Sequence, residues 1–351
     1  MATILFTGHN LHFIEELIHR FSRDGHVVLR DEWKSHVIHD EDTSHSLLEQ
    51  ADIIICEWAL GNSVWYSNRK KPNQRLYIRF HRQEIETEYP HKIMWGTVDR
   101  MIFVSPILQQ KAIEKFSIPP GKTTFIPNFV NTSEFSLSKS SNSEHTIGLL
   151  GSVPRLKRLD RALDILKIVR LKDSRFNLRI KGKLPGDYPW MLKREKEMNW
   201  YQNQFDRIES DPILKGHVYF DEWGPDVPQW FTQINYILSV SDYEGSHQAV
   251  AEGAASGAVP MILKWDGADQ IYPSGWCFDD LESVAQAILD QSIASHNGRK
   301  WSRIIQKRYD IKRIYKRWNN LLRIKQSLFS RFLSSLSPSS RSSAKIQVEE
   351  E

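Results

Sequence analysis

Short apolar runs and helically spaced segments alternate along the chain from its first residues. "TILFTG" (3–8), "HVVLRD" (26–31), "ADIIICEW" (51–58), "RLYIRFH" (75–81), "RMIFVSP" (100–106) and "TTFIPNFVN" (123–131) read as strands. Several are apolar almost without interruption, as strands buried on both faces of a parallel sheet are. Between the first two, "NLHFIEELIHRFSRDG" (10–25) places apolar residues at helical spacing and closes on Gly25. Strand and helix alternating in this way predict a doubly wound α/β domain.

The pattern then pauses and restarts. Residues 136–145, "SLSKSSNSEH", are Ser-rich and without aromatics, which suits a linker. After them "HTIGLLGS" (145–152), the basic helix "RLDRALDILKIVRLK" (158–172), "FNLRIKG" (176–182), "HVYFDE" (217–222), "YILSVS" (236–241) and "AVPMIL" (258–263) repeat the alternation. Two domains of one class are expected, at 1–135 and 146–298. Between Arg299 and Lys325 stand eleven Lys/Arg and one acid, Asp310, mixed with Trp301, Tyr309, Ile314, Tyr315, Trp318, Leu321 and Leu322. That mixture predicts one or two basic amphipathic helices over 299–326. Residues 327–351 fade into Ser-rich sequence with the composition of a disordered tail.

Length and charge narrow the field. A chain of 351 residues, 40% apolar, is comfortable as two domains with real cores. The net charge of +4 is small and argues against a nucleic-acid partner. Cys56 and Cys277 have no metal-ligand spacing and form no disulfide framework, so a reducing, cytoplasmic setting is expected. No run of 18 apolar residues crosses a membrane, and "MATILFTGHN" lacks the basic start of a signal peptide.

The segment richest in chemistry is 241–257, "SDYEGSHQAVAEGAASG". It follows a buried strand, at the edge where open α/β sheets bind ligands. Glu244 falls in the loop, and Glu252 about two turns into the helix expected to follow. Eight helical residues rotate by about 800°, so the two carboxylates come within about 80° of one face. Gly245 and Ser246 are expected to open that helix, where free N–H groups favour a phosphate. The small residues that follow permit close approach of a neighbour or ligand.

In the context "S-x-x-E-G-S-x-x-A-x-x-E-G-A-A-S-G-A-V-P" this pair resembles the signature of retaining GT-B glycosyltransferases of glycosyltransferase family 4. The resemblance implies two Rossmann-like domains facing a central cleft, with the sugar-nucleotide donor on the second. It implies that Glu244 contacts the donor sugar, Gly245 and Ser246 the phosphate, and Glu252 the ribose. "GLLGSVPRLKRLDRAL" resembles the family's Gly-rich turn and basic loop. Lys157 matches the lysine that neutralises the leaving diphosphate, while Ser152 stands where an arginine is usual, leaving Arg155 or Arg158 to supply that charge. In "LYIRFHRQE", His81 matches a histidine near the reacting sugar, flanked by Arg79 and Arg82. Gly8 matches an N-terminal turn near the diphosphate, and Phe220 part of the base pocket.

The chemistry implied is transfer from a nucleoside-diphosphate sugar to an acceptor hydroxyl, with retention and without a metal or other cofactor. Saccharides and lipid-linked molecules are the acceptors expected, in cell-surface polysaccharide or glycoconjugate synthesis. In this fold the last helix commonly crosses back onto the first domain. The same basic segment, through 299–336, also suits an anionic membrane surface and a peripheral location. Two rivals share the motif: a nucleotide-sugar epimerase on the same fold and a non-catalytic sugar-nucleotide-binding protein. A dinucleotide-dependent oxidoreductase is disfavoured, because no G-x-G-x-x-G follows a strand.

Overall fold

The computed structural model describes residues 1–290 and 292–324. The chain divides into two compact units. The first comprises Met1–Val104, Leu108–Ile126 and the chain from Lys312 onward; the second comprises Ser105–Ile107 and Pro127–Ile311.

In the first unit, β1 (Thr3–Gly8), β2 (Val27–Glu32), β3 (Ile53–Glu57), β4 (Arg75–Phe80), β5 (Arg100–Phe103) and β6 (Thr123–Phe125) form one sheet. Its order is β2-β1-β3-β4-β5-β6. Every pair is parallel. The central strands are the uninterrupted apolar runs, and all five residues of β3 are buried. The helices α1 (Glu15–Arg23), α2 (Glu41–Gln50), α3 (Gly61–Arg69) and α4 (Pro106–Phe116) punctuate the strands. Asp40 caps α2, accepting from the Thr43 N–H at 2.8 Å, which satisfies one of the helix's free donors.

The second unit repeats the plan. Its strands β7 (Thr146–Leu150), β8 (Asn177–Lys181), β9 (Val218–Asp221), β10 (Tyr236–Ser239), β11 (Val259–Leu263) and β12 (Cys277–Phe278) are ordered β12-β11-β10-β7-β8-β9. All are parallel. Helices α5 (Leu159–Arg170), α6 (Glu195–Ser210), α7 (Val227–Phe231), α8 (Gln248–Ala255), α9 (Ala268–Ile271), α10 (Leu281–Leu289) and α11 (Ser292–Tyr309) complete it. On α5 the apolar stripe Leu159, Leu163, Leu166 and Val169 is fully buried, as the helical spacing required.

Both sheets reverse direction at one place. In the first, the chain winds from β1 to β2 and then resumes on the other side of β1 with β3. In the second, it winds outward from β7 through β9 and resumes beside β7 with β10. Ligand crevices in such sheets open at the carboxyl ends of the strands flanking the reversal. These two points locate the chemistry described below.

Two sequence expectations change. The Ser-rich stretch 136–145 is anchored rather than a free tether. Lys139 donates to the carbonyls of Phe231 and Ile234 at 2.8 and 2.6 Å, at the carboxyl end of α7. Burial pushes its ammonium down to about 7. Phe135 joins the second unit's core, so that unit begins at Pro127, ahead of the expected boundary at 135.

The basic C-terminal segment forms α11 and α12 (Ile311–Leu322). Its apolar residues are spent on the protein's own cores. Ile305 and Tyr309 are buried in the second unit, and Ile314, Tyr315, Trp318 and Leu322 in the first. Tyr315 packs edge-on against Phe21 at 5.0 Å and donates to Asp24 at 2.7 Å. Among the described residues the segment therefore exposes Lys and Arg but no apolar face for a bilayer. Residues 325–336 of the expected membrane surface, and the tail 327–351, lie outside the described residues. No helix among those described is long and apolar enough to cross a membrane.

Candidate active site

At the second unit's reversal, two loops meet. One follows β7 and carries Gly151 to Arg158; the other follows β10 and carries Val240 to His247. The Asp242 N–H donates to the Leu156 carbonyl at 2.9 Å, joining their backbones. Lys157 Nζ lies 2.6 Å from Glu244 Oε1, which also accepts from Ser241 Oγ at 2.7 Å. Burial pushes the Glu244 carboxyl up, but His247 and Lys157 beside it, with the Lys157 and Ser241 hydrogen bonds, hold it below its ordinary value. Glu244 is thus a largely buried carboxylate, 11% exposed at its side chain, that is charged at neutral pH. Both bonds fall on Oε1, leaving Oε2 for a ligand hydroxyl. Lys157 spends one of its three ammonium donors and keeps part of its surface exposed.

The arginines expected near Lys157 are engaged elsewhere. Arg158, in the left-handed region at φ 56°, grips Asp160 with Nε and Nη2 and reaches Asp242 with Nη1 at 2.7 Å. These carboxylates raise its pKa further. Arg155 is exposed and lies over the Trp200 ring at 5.1 Å. Ser152 is buried, and its carbonyl accepts from Tyr201 Oη at 2.8 Å. Lys157 is accordingly the cation of this loop that faces Glu244.

Gly245 and Ser246 do not open the helix as expected. α8 starts at Gln248, and His247 is its cap residue, at φ 37°. The loop runs further because a clamp holds it. Asn128 Nδ2 donates to Ser246 Oγ at 2.9 Å, and Tyr272 Oη donates to the carbonyls of Ser246 and His247 at 2.8 and 3.1 Å. His247 itself was not legible as a site residue. Its Nδ1 lies 2.5 Å from Ser239 Oγ, which accepts from Trp265 Nε1 at 3.0 Å. Its Nε2 is buried without a partner. Burial, opposed by Glu244 and aided by Lys157, pushes the imidazole down to about 4, so it is neutral at pH 7.

Glu252 sits on α8, largely but not fully buried, and among the described residues faces no cation. Burial pushes its carboxyl up to about 7, against the single hydrogen bond from Gln248 Nε2 at 3.1 Å. The same amide also donates to the Phe129 carbonyl at 3.1 Å. Gly253, one residue on, lies where a Cβ would stand 2.6 Å from Ile237, so only glycine lets α8 seat on β10. Phe220 lies on the edge strand β9, 37% exposed, with its ring edge-on to Phe205.

The first unit has its own cluster at its reversal. Gly8 ends β1, where an added Cβ would stand 2.7 Å from the Glu57 carbonyl at the end of β3. Glu57 is fully buried between Arg79 Nη1 at 2.5 Å and His81 Nε2 at 2.8 Å. Burial pushes the Glu57 carboxyl up, and Arg79 and His81 more than reverse the shift. Trp58, at φ 74°, packs on His81 with centroids 4.1 Å apart. Glu84 Oε1 accepts from the N–H groups of His81 and Ala59. His81 is thus held on one side by a buried carboxylate and on another by an indole. Glu57, Trp58 and Glu84 escaped the sequence reading. The available signal was an acid closing an otherwise apolar strand, a position where unpaired charge is rarely tolerated.

No protein-family model and no curated protein matches the chain. Among solved structures it is similar to HepE of Anabaena in complex with UDP-glucose, at TM-score 0.69 and 14% identity, covering 92% of this chain and 99% of HepE. It is similar to sucrose-phosphate synthase from Thermosynechococcus elongatus, at TM-score 0.70 and 14% identity, covering 92% and 98%. TarM matches at TM-score 0.59 and 17% identity, over 77% of this chain and 54% of TarM. The chain thus spans about half the length of TarM. With its two parallel six-stranded sheets and flanking helices, the chain has the GT-B fold of these glycosyltransferases.

Proposed function

We propose that the protein is a retaining glycosyltransferase, similar to family 4 enzymes, that moves a sugar from a nucleoside-diphosphate donor to an acceptor hydroxyl. One observation carries the reading: charged Glu244, fixed by Lys157, stands in the loop before the helix that carries Glu252, largely buried and, among the described residues, without a cation. A carboxyl buried without a cation is costly, and sugar or ribose hydroxyls donating to it would recover that cost. The uridine base is favoured because HepE was solved with UDP and UDP-glucose, and TarM of S. aureus with UDP.

In this reading Glu244 Oε2 accepts from a donor-sugar hydroxyl and Glu252 from the ribose. The two remaining Lys157 donors meet the diphosphate as its charge grows, a stabilisation set in place before the bond breaks. Free N–H groups of the Gly245–Ser246 loop add to it. His81, held by Glu57, is the residue that matches the family's histidine near the transferred sugar. These groups provide the charge a metal ion would otherwise supply, so activity should survive EDTA. Surface-polysaccharide or glycoconjugate synthesis is the setting proposed, with a peripheral membrane location resting on exposed Lys and Arg alone. The deciding test is transfer from UDP-sugars to saccharide acceptors, with product anomers read by NMR. Donor binding without turnover toward any acceptor, or an inverted product, refutes the proposal.

A further inference from the structure

The outer face of α12 carries charge of one sign. The helix reads IKRIYKRWNNLL and contains no acid. Ile314, Tyr315, Trp318 and Leu322 are buried, while Lys312, Arg313, Lys316 and Asn320 are exposed. At 100° per residue these four exposed positions fall within an arc of about 100°. Arg323, exposed just past the helix, continues that face. Arg317 is engaged with the protein itself, donating to the Phe125 carbonyl and lying over that ring. Arg313, Lys316 and Arg323 form no ion pair among the described residues. Asp24, the carboxylate that α12 touches, is taken by Tyr315 Oη at 2.7 Å.

A solvated helix face ordinarily mixes its signs, as α1 does where Glu16 meets Arg20 at 3.0 Å. α12 instead sets like charges at neighbouring helical positions: Lys312 with Lys316, and Arg313 with both Lys316 and Arg317. Each such pair destabilises the helix slightly, and exposed Arg313 and Lys316 do not pack on the core to offset it. The concentration is also particular to this end of the chain. Eleven Lys/Arg against Asp310 give residues 299–325 a charge of +10 in a chain of +4, so the remaining residues carry −6. A protein that is acidic elsewhere is turned by such an asymmetry toward an anionic surface. The sequence that follows indicates which surface. Residues 325–336 add Lys325 and Arg331, no acid, and Leu328, Phe329, Phe332, Leu333 and Leu336 among serines. Apolar residues beside cations suit a lipid surface and have no role on the phosphates of a nucleic acid.

We propose that the outer face of α12 docks on a bilayer containing anionic phospholipid, with Arg313, Lys316 and Arg323 toward the headgroups. This builds on the peripheral location proposed above, giving it a helix, a lipid class and a mode, and it stands apart from the transfer reaction. The mode is adsorption by charge: the apolar side of α12 stays in the protein's core, so binding weakens steeply as salt rises.

The test is sedimentation of the full chain with vesicles of phosphatidylcholine alone and of an equal mixture with phosphatidylglycerol. Wild type is compared with Arg313→Glu/Lys316→Glu/Arg323→Glu and with Lys172→Glu/Lys193→Glu/Lys196→Glu. The second set reverses exposed cations of the second unit and changes the net charge by the same amount. Circular dichroism and melting confirm each fold, and Lys316→Glu alone replaces the first set should that set loosen α12. Wild type should pellet with the mixed vesicles only and be released by salt. A cation near an anionic leaflet is worth about fivefold in partition, so the α12 set should lose at least tenfold and Lys316→Glu about fivefold, with the second-unit set unchanged. Pelleting with neither vesicle, equal pelleting with both, equal loss in the two sets, or retention of duplex DNA in place of vesicles overturns the inference. UDP-dependent melting of the same wild-type preparation is measured separately. Its absence would sink the transferase reading and leave the vesicle result to stand or fall alone.

Discussion

Replacing Glu252 with glutamine should stabilise the protein while disabling its nucleotide site, and the stabilisation should depend on pH. The folded carboxyl titrates at about 7 against an ordinary value of 4.5. A carboxyl raised in the native state costs no stability below pH 4.5, where both states are protonated. The cost grows as pH rises and is complete above pH 7, where the buried group has been forced to ionise. At 1.36 kcal/mol per unit, the full penalty is about 3 kcal/mol at pH 8 and just under about 1 kcal/mol at pH 5. Glutamine keeps the shape and the hydrogen bonding but never ionises. Glu252→Gln should therefore gain about 2–3 kcal/mol more at pH 8 than at pH 5. At roughly 2–4 °C per kcal/mol for a unit of this size, that is roughly 5–10 °C in the second unit's melting temperature. The assay is thermal unfolding of both proteins across pH 5–8, followed by the same scans with UDP. A gain that is equal at the two pH values, or absent, refutes the argument that Glu252 is buried without compensation. Ligand should reverse the order: UDP raises the wild-type melting temperature by mass action and leaves the variant where it was.

Other perturbations probe the remaining groups. Lys157→Ala should lower kcat for sugar transfer by about 100-fold or more, the usual cost of losing a preorganised charge at a leaving group; an unchanged kcat removes Lys157 from the mechanism. Glu57→Ala removes the buried carboxylate that Arg79, only 2% exposed, and His81 share, and should cost about 3–5 kcal/mol in urea unfolding. Gly8→Ala forces a methyl against the Glu57 carbonyl and should destabilise by about 1–3 kcal/mol, read as a fall in melting temperature. Prior treatment with EDTA should leave the transfer rate unchanged, and a loss restored by added divalent cation would overturn the metal-independent reading.

The strands were legible because parallel sheets covered on both faces demand apolar runs, and eleven strand-like segments, several of them nearly unbroken, stand in the sequence. β12 was not, since two residues carry no periodicity. Glu244 and Glu252 were visible because their spacing is local and their neighbours are small, and Lys157 because its loop resembles the family's. Glu57 was hidden for the opposite reason. Its partners Arg79 and His81 come from another strand, and only sheet register brings them to one carboxylate. His247 was hidden by its backbone. A left-handed histidine before a helix leaves no mark in the sequence, and it moved the start of α8 past the two residues expected to open it. Lys139 shows how a long-range bond turns a Ser-rich stretch into anchored chain. In the basic C-terminus the apolar stripe packs into the protein's own cores, the first of the two readings its sequence allowed.

The route of the chain sets an order of events. The first unit is the earlier to emerge from the ribosome, yet Ile314, Trp318 and Leu322, which belong to its core, are made more than a hundred residues after its last strand. Until α12 arrives, Phe21 and its neighbours stay uncovered. The amino-terminal half must therefore wait, incompletely closed, while the second unit is made and folds in the interval. A nascent chain stopped near Ile311 would carry a finished second unit and an open first one, which makes α12 a checkpoint that only a chain extending through Leu322 passes.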